Sequence, residues 1–598
     1  MGSIVGVLAR DVPIDDVRVR AMLAAAPHRG TEYRVQICGN CILGVSNKND
    51  FLDSTLSQEG DVVAAFSGKL DNAAHLHKIL AQKGQPPASA NAADVVVSAF
   101  RLFGPDAPNK MRGVFAGIVS DGRQMWCFRD HLGFKSLYYR DEEAAFFAAT
   151  EAKQIVSGAG LRREPNLDAI NHLLFANGTD EKPCALMGVN ILRQATTCTV
   201  DIVRPTTFRR YWEPERLLET VRLDSEEVRQ RFEERFKQAV VRCLTGEDVL
   251  SLSGGLDSAS IAAVAAPEYV ESKRRPLSAL SAVFPDLPNV DESSYIQKIV
   301  NYFGLDLHTY RIQAPVLKDV QYWCNVLDGP VYTMSIPDLY ENYTLARALG
   351  FRNVLTGDIA EFVIGFRSHV IGHLLLHVRW KSLGRLIAAE LRHGTSPRSI
   401  ARELMIPFIP GSIANWYLRA RRPDPRQWIP EWIDHAKIKA GPFRPDLLPP
   451  AYNRWSVQQL VAFKGTALLD ESLDICADMC GVTVRRPFSD IDLWEFFLSL
   501  PAETKIPDLR LKTLMRSLMR GKLPDEVLDR PRKTTFNDHL VSRIDYPSLR
   551  KYLLNPNHPI AGIDYQRLAN RIEHEELNMF DWMWANTLIR VHAFLSLS

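Results

Sequence analysis

Residues 249–258 read VLSLSGGLDS, and residues 259–266 continue as ASIAAVAA. A short apolar run, a Ser/Gly turn and a run of helix formers predict strand, tight loop, helix. Such a loop is a phosphate cradle. Its glycines let the backbone come close to an anion, and the first N–H groups of the helix point at it. Ser251, Leu252, Ser253, Gly254, Gly255, Leu256, Asp257 and Ser258 are therefore expected to line a nucleotide site. Ser253 and Ser258 add hydroxyl donors. Asp257 repels a bare phosphate but suits Mg²⁺ held between carboxylate and phosphates. The loop lacks the lysine of G-x-x-x-x-G-K-[ST], and it is not G-x-G-x-x-G.

The 598 residues are 46% hydrophobic and 24% charged, an ordinary globular balance with enough chain for several domains. A net charge of +2 gives no bulk reason to expect nucleic acid or a membrane surface. No apolar run is long enough to span a bilayer, and no signal peptide is legible. The nine cysteines follow no disulfide framework and suit a cytoplasmic location. Cys38 and Cys41 are read as two buried thiols at a strand turn rather than a metal or redox pair.

Residues 1–205 are rich in short apolar strands separated by Gly, Asp and Asn turns, with helices expected at 11–26, 71–82 and 149–157. Sheets packed together with helices outside are the natural solution. A Pro/Trp-containing linker near 201–215 precedes a charged amphipathic helix from 224. From 249 to 365 strands and helices alternate, which predicts a mainly parallel sheet with helices on both faces. Residues 366–450 begin helical and become rich in Arg, Pro and Trp, either as a solvated loop or as a substrate-handling insertion. Residues 455–598 are helical.

Several segments together resemble the asparagine synthetase family over nearly the whole chain: PHRG at 27–30, FSGKLDN at 66–72, FRDHLGFKSLYYR at 128–140 and TEAKQI at 150–155. Further on, LSGGLDS at 252–258, TGDIAEFVIGF at 356–366, VRRPFSDIDLWEFFLSLP at 484–501 and LRLKTLMRSLMRGKLPDEVLDRPRKTTF at 509–536 continue the match. The resemblance implies an α/β multidomain protein. Residues 1–208 would be an Ntn-hydrolase-like αββα sandwich. Residues 209–598 would be an ATP pyrophosphatase domain, with its core at 245–370, an insertion at about 370–450 and a helical part at 451–598. ATP and Mg²⁺ are the implied cofactors.

The departures are informative. Family members that hydrolyse glutamine begin Met-Cys-Gly, and the cysteine is the nucleophile. This chain begins Met1-Gly2-Ser3-Ile4, and the family's Asn-Gly-Glu appears as Ser67-Gly68-Lys69. A cation there repels the ammonium of glutamine. The first domain is expected to be an inactive scaffold. Without a glutaminase, the resemblance narrows to lasso peptide cyclases and β-lactam synthetases, in which an internal amine attacks an adenylated carboxylate. The chain length and the region at 366–450 favour a peptide. The implied partners are a lasso precursor core, a leader-binding protein and a leader peptidase. A β-lactam-type or ammonia-dependent synthetase and a catalytically silent scaffold are the rival readings.

The resemblance also implies residue roles. Asp257 and Glu361 would hold Mg²⁺. Asp358, after Gly357, would orient or deprotonate the amine. Lys533 would stabilise the developing oxyanion and pyrophosphate. Lys512 falls to a phosphate contact or to a helix surface. Val283 and Phe284 fall beside adenine or in a strand core. Arg485, Arg486 and Asp490 are as readily structural pairs as ligands, and His28 and Arg29 are structural. With Arg530 and Arg532 nearby, the alternative for Lys533 is a basic solvated turn.

Overall fold

The computed structural model describes all residues except 1, 11–14, 49–53, 178–183, 314, 332, 334, 361–369, 393, 406–407, 409–428, 438, 441–463, 506–511, 531–533, 535–536 and 598. The first domain holds two six-stranded sheets. Every pairing within them is antiparallel. Alternation along the first strand, Ser3–Ala9, explains the layering. Ile4 and Leu8 meet Val63, Ala65 and Ile118 of the other sheet in one core. Val5 and Val7 face outward onto Val19 and Leu23 of the helix Asp16–Ala24 and Ile155 of Ala152–Ala159. On the far side, Ala64 and Phe66 pack against Leu76, Leu80 and Val96. The result is the expected αββα sandwich.

The helix Ala92–Phe103, which carries Val96, was not legible as such. Its VVVSAF run has strand-like residues, and only tertiary packing selects the helix. The side chain of Asn91 caps it by accepting from the N–H of Asp94 at 2.9 Å. Cys38 and Cys41 pair across a hairpin turn. Only Cys41 is buried; Cys38 is partly exposed, because its strand, Glu32–Cys38, forms a sheet edge. The linker is not a solvated tether. Tyr211 and Trp212 are buried, and the Trp212 indole donates to Glu495 at 3.0 Å.

Asp224 closes a capping box at the start of the helix Ser225–Cys243. Val228, Phe232, Phe236 and Val240 of that helix pack into the second-domain core, and the chain then enters the strand Asp248–Ser251. That strand is the middle of a five-stranded sheet in the order 306–310, 278–282, 248–251, 353–355, 483–485. All four pairings are parallel. In chain order this is 3-2-1-4-5, so the direction of winding reverses beside the central strand. Ligands of doubly wound sheets bind in the crevice at that reversal, outside the carboxyl ends. Both 252–258 and 356–360 leave the sheet there.

Candidate active site

The SGGLDS loop runs from the central strand into the helix Leu256–Lys273, whose N-cap is Gly255. No described side chain caps that helix end, so among the described residues its first N–H groups are left for a ligand. The loop is pinned from within. The Ser258 hydroxyl lies 3.1 Å from both the Ser253 N–H and the Ser253 hydroxyl. Leu252 and Leu256 turn their side chains into the core, so they can offer a nucleotide only backbone. Leu252 backbone is itself spent on the sheet: its N–H donates to Leu280 at 3.0 Å, and its carbonyl accepts from the Ser281 hydroxyl at 2.8 Å.

Charged groups behind the loop, distant in sequence, hold it in place. The Glu292 carboxylate accepts the Gly254 N–H at 3.0 Å and pairs with Arg530 at 2.7 Å. Arg530 also donates to the Gly254 carbonyl at 3.0 Å and stacks 4.3 Å above the Tyr295 ring. Arg530 is thus a clamp on the loop and not a solvated turn. The DESS sequence at 291–294 shows a helix start, but nothing local says which loop its acid will reach.

Lys512 is the first residue before the helix Thr513–Met519, and its ammonium bonds Asp257 Oδ2. It therefore belongs to the site and not to a helix surface. The other carboxylate oxygen, Asp257 Oδ1, is buried and accepts no hydrogen bond from any described residue. A buried, half-satisfied carboxylate beside free helix N–H groups fits a divalent cation bridging to phosphates. Glu361 and Lys533 lie outside the described residues.

Gly357 is where the two loops touch. A Cβ there would stand 3.0 Å from both Asp257 Cβ and the Ser258 nitrogen, so close approach requires glycine. Asp358 accepts from the Thr356 hydroxyl at 2.8 Å and sits 3.9 Å from Arg486. Its side chain is 49% exposed, open to an incoming group. Ile359 has a φ of +61°, a conformation costly for a β-branched residue and typical of loops held by their function. Val283 directly follows the neighbouring strand, half-buried, with its N–H donating to the Tyr310 carbonyl at 3.0 Å.

Arg485, Arg486 and Asp490 are structural. Arg485 reaches Asp71 of the first domain at 2.6 Å, Arg486 bonds Asp474 at 2.8 Å, and Asp490 takes Arg242 at 2.7 Å. His28 is 2.7 Å from the Glu151 carboxylate and Arg29 joins the same group, again structural. Among the described residues, no cluster of three or more His, Cys, Asp or Glu side chains could hold a metal by itself.

The glutamine amidotransferase domain family matches residues 1–212, and the asparagine synthase family matches residues 231–585. A Bacillus subtilis protein named asparagine synthetase [glutamine-hydrolyzing] 3 is 24% identical over 494 residues, covering 78% of this chain and 74% of its own. Amidase chyE of Penicillium rubens is 25% identical over 602 residues, covering 90% and 84%. A solved B. subtilis glutamine phosphoribosylpyrophosphate amidotransferase aligns with 12% identity and a TM-score of 0.27, over 52% of this chain and 82% of that one.

Proposed function

This chain belongs to the asparagine synthase family, and from that premise we propose that it closes an amide within one peptide, as a lasso peptide cyclase does. ATP-dependent amide formation is the chemistry of the family. A substrate carboxylate oxygen attacks the α-phosphorus of ATP, and pyrophosphate leaves an acyl-adenylate. A tethered amine then attacks the acyl carbon, and AMP departs. Mg²⁺ at Asp257, with Glu361 on the sequence resemblance, would neutralise the phosphates as pyrophosphate leaves. The backbone N–H groups at 255–258 bind the phosphates, Arg530 and Glu292 fix the loop, and Asp358 takes the proton lost by the amine.

One observation carries the choice of an internal amine over glutamine-derived ammonia. A Cβ at Gly2 would lie 1.9 Å from the Ser46 carbonyl oxygen and 2.7 Å from Asn47 Oδ1. No nucleophilic side chain fits there. The next candidate, Ser3, is fully buried, with its hydroxyl 2.7 Å from Ser46 Oγ and 3.0 Å from the Gln154 amide. A threaded peptide brings its own nitrogen, and tethering makes the attack effectively unimolecular. The precursor core, a leader-binding protein and a leader peptidase are the partners of this reading, and the cytoplasm its location.

The name asparagine synthetase on one relative favours a second reading, a small acid amidated; with no nucleophile fitting at Gly2, the nitrogen would be free ammonia. ATP–pyrophosphate exchange separates the two. Exchange that requires a linear peptide, with the peptide losing the mass of one water, supports cyclisation. Exchange with small acids and ammonium alone supports the second reading. No exchange with any of these removes both.

A further inference from the structure

The Lys512 ammonium is already paired with the carboxylate read above as the metal ligand. It bonds Oδ2, while the buried Oδ1 takes no hydrogen bond from any described residue. The two side chains are 17% and 20% exposed, so the contact is mostly shielded from water and only weakly screened. Lys512 holds a left-handed backbone with φ +64° and ψ +27°, a conformation that costs a non-glycine residue energy and persists only where surrounding contacts offset it. No other described carboxylate lies within ion-pairing distance of Lys512, so the contact with Asp257 is the one that holds it.

We propose that Lys512 is an internal counter-ion that keeps the carboxylate of Asp257 closed to free divalent metal and yields it only when nucleotide arrives. The proposal rests on the reading of Asp257 as the metal ligand. The logic is one of charge. With no phosphates present, a lone carboxylate beside a helix N-terminus is neutralised by the ammonium and has little left to offer a cation. Triphosphate brings several negative oxygens to the same place. The ammonium can then move to those oxygens, a shift within the reach of a flexible four-carbon side chain. The vacated carboxylate faces a metal already paired with phosphate. Metal and nucleotide should therefore bind as a unit, and metal alone should not.

The test uses the full chain, Mn²⁺ as a spectroscopic probe counted by electron paramagnetic resonance, and a non-hydrolysable ATP analogue titrated by calorimetry. The unaltered protein should bind free Mn²⁺ far more weakly than Mn²⁺ with the analogue. Lys512→Met should tighten free Mn²⁺ roughly tenfold, the scale on which a ligand's immediate neighbours alter its hold on a metal, and should weaken the analogue. Lys512→Gly, which suits the positive φ, should do the same and guards against a folding failure in the first variant. Lys512→Arg should keep free metal out. Unchanged free Mn²⁺ affinity in both Lys512→Met and Lys512→Gly overturns the proposal. Asp257→Asn isolates the underlying reading: if it binds Mn²⁺ with the analogue as the unaltered protein does, Asp257 is not a ligand, and the site assignment fails whatever Lys512 does.

Discussion

Arg29 of the first domain reaches Asp478 of the second at 2.5 Å, and both side chains are only 1% exposed. The same guanidinium bonds Glu151, and Lys135 stands 3.8 Å from Asp478. Asp478 lies on the helix Lys464–Cys480, which also carries Asp474, the partner of Arg486. A domain with no room for a nucleophile at its first strand is thus bonded through one helix to the edge that presents Asp358. Its retention has a mechanical reason.

Breaking the strut on one side should be expensive. Arg29→Met leaves Glu151 and Asp478 buried with reduced compensation. The loss should be about 3–5 kcal/mol, read from chemical denaturation with both domains probed. A change below that of a surface substitution would show the pair to be dispensable.

Lys505 gives a pH signature. Burial drives its ammonium down from 10.5 to about 7, against the pull of Glu219 and Glu503. Between those values the unfolded chain binds more protons than the folded one, so this residue makes stability rise with pH across that window. Lys505→Met should flatten the rise, and denaturation midpoints measured from pH 7 to 10 would show it.

The contact between the two loops can be tested at Gly357. In Gly357→Ala the new methyl must displace the helix start that carries Asp257 and Ser258. Overpacking of this kind costs about 1–3 kcal/mol. Calorimetric titration with an ATP analogue should show affinity falling, with global stability changed less than nucleotide binding.

Asp358→Asn keeps the Thr356 contact possible but cannot accept a proton. Amide formation should drop ~10²–10⁴-fold, the usual range for a lost acid or base. Pyrophosphate exchange, which precedes amine attack, should persist. Parallel loss of both would place Asp358 in adenylation instead.

Restoring a thiol should not restore glutamine hydrolysis. Gly2→Cys puts a Cβ against the Ser46 carbonyl oxygen, and the strand must shift to admit it. We expect a lower melting temperature and no glutamate released from glutamine. Measurable glutaminase activity in this variant would contradict the steric exclusion of a nucleophile at position 2.

The sequence alone determined the layered first domain and most of the second. Short apolar runs such as SIVGVLA set strands, and the rhythm from 249 to 365 set a parallel sheet with loops at its carboxyl edge. The fifth strand, 483–485, lies in a stretch read as helical; three residues are too few to show a strand, and only pairing with 353–355 makes them one. The sequence also determined the strand, Ser/Gly turn and helix around 248–273, because these are local features that need no distant partner. What tertiary structure decided were the pairings between side chains far apart in the chain. Glu292 with Arg530, Lys512 with Asp257, Arg486 with Asp474 and Arg29 with Asp478 are ion pairs formed across the fold. A charged residue in a sequence looks the same whether water or a carboxylate will surround it. Only the closing of the sheet and the docking of its helices remove the water and fix which opposite charge replaces it.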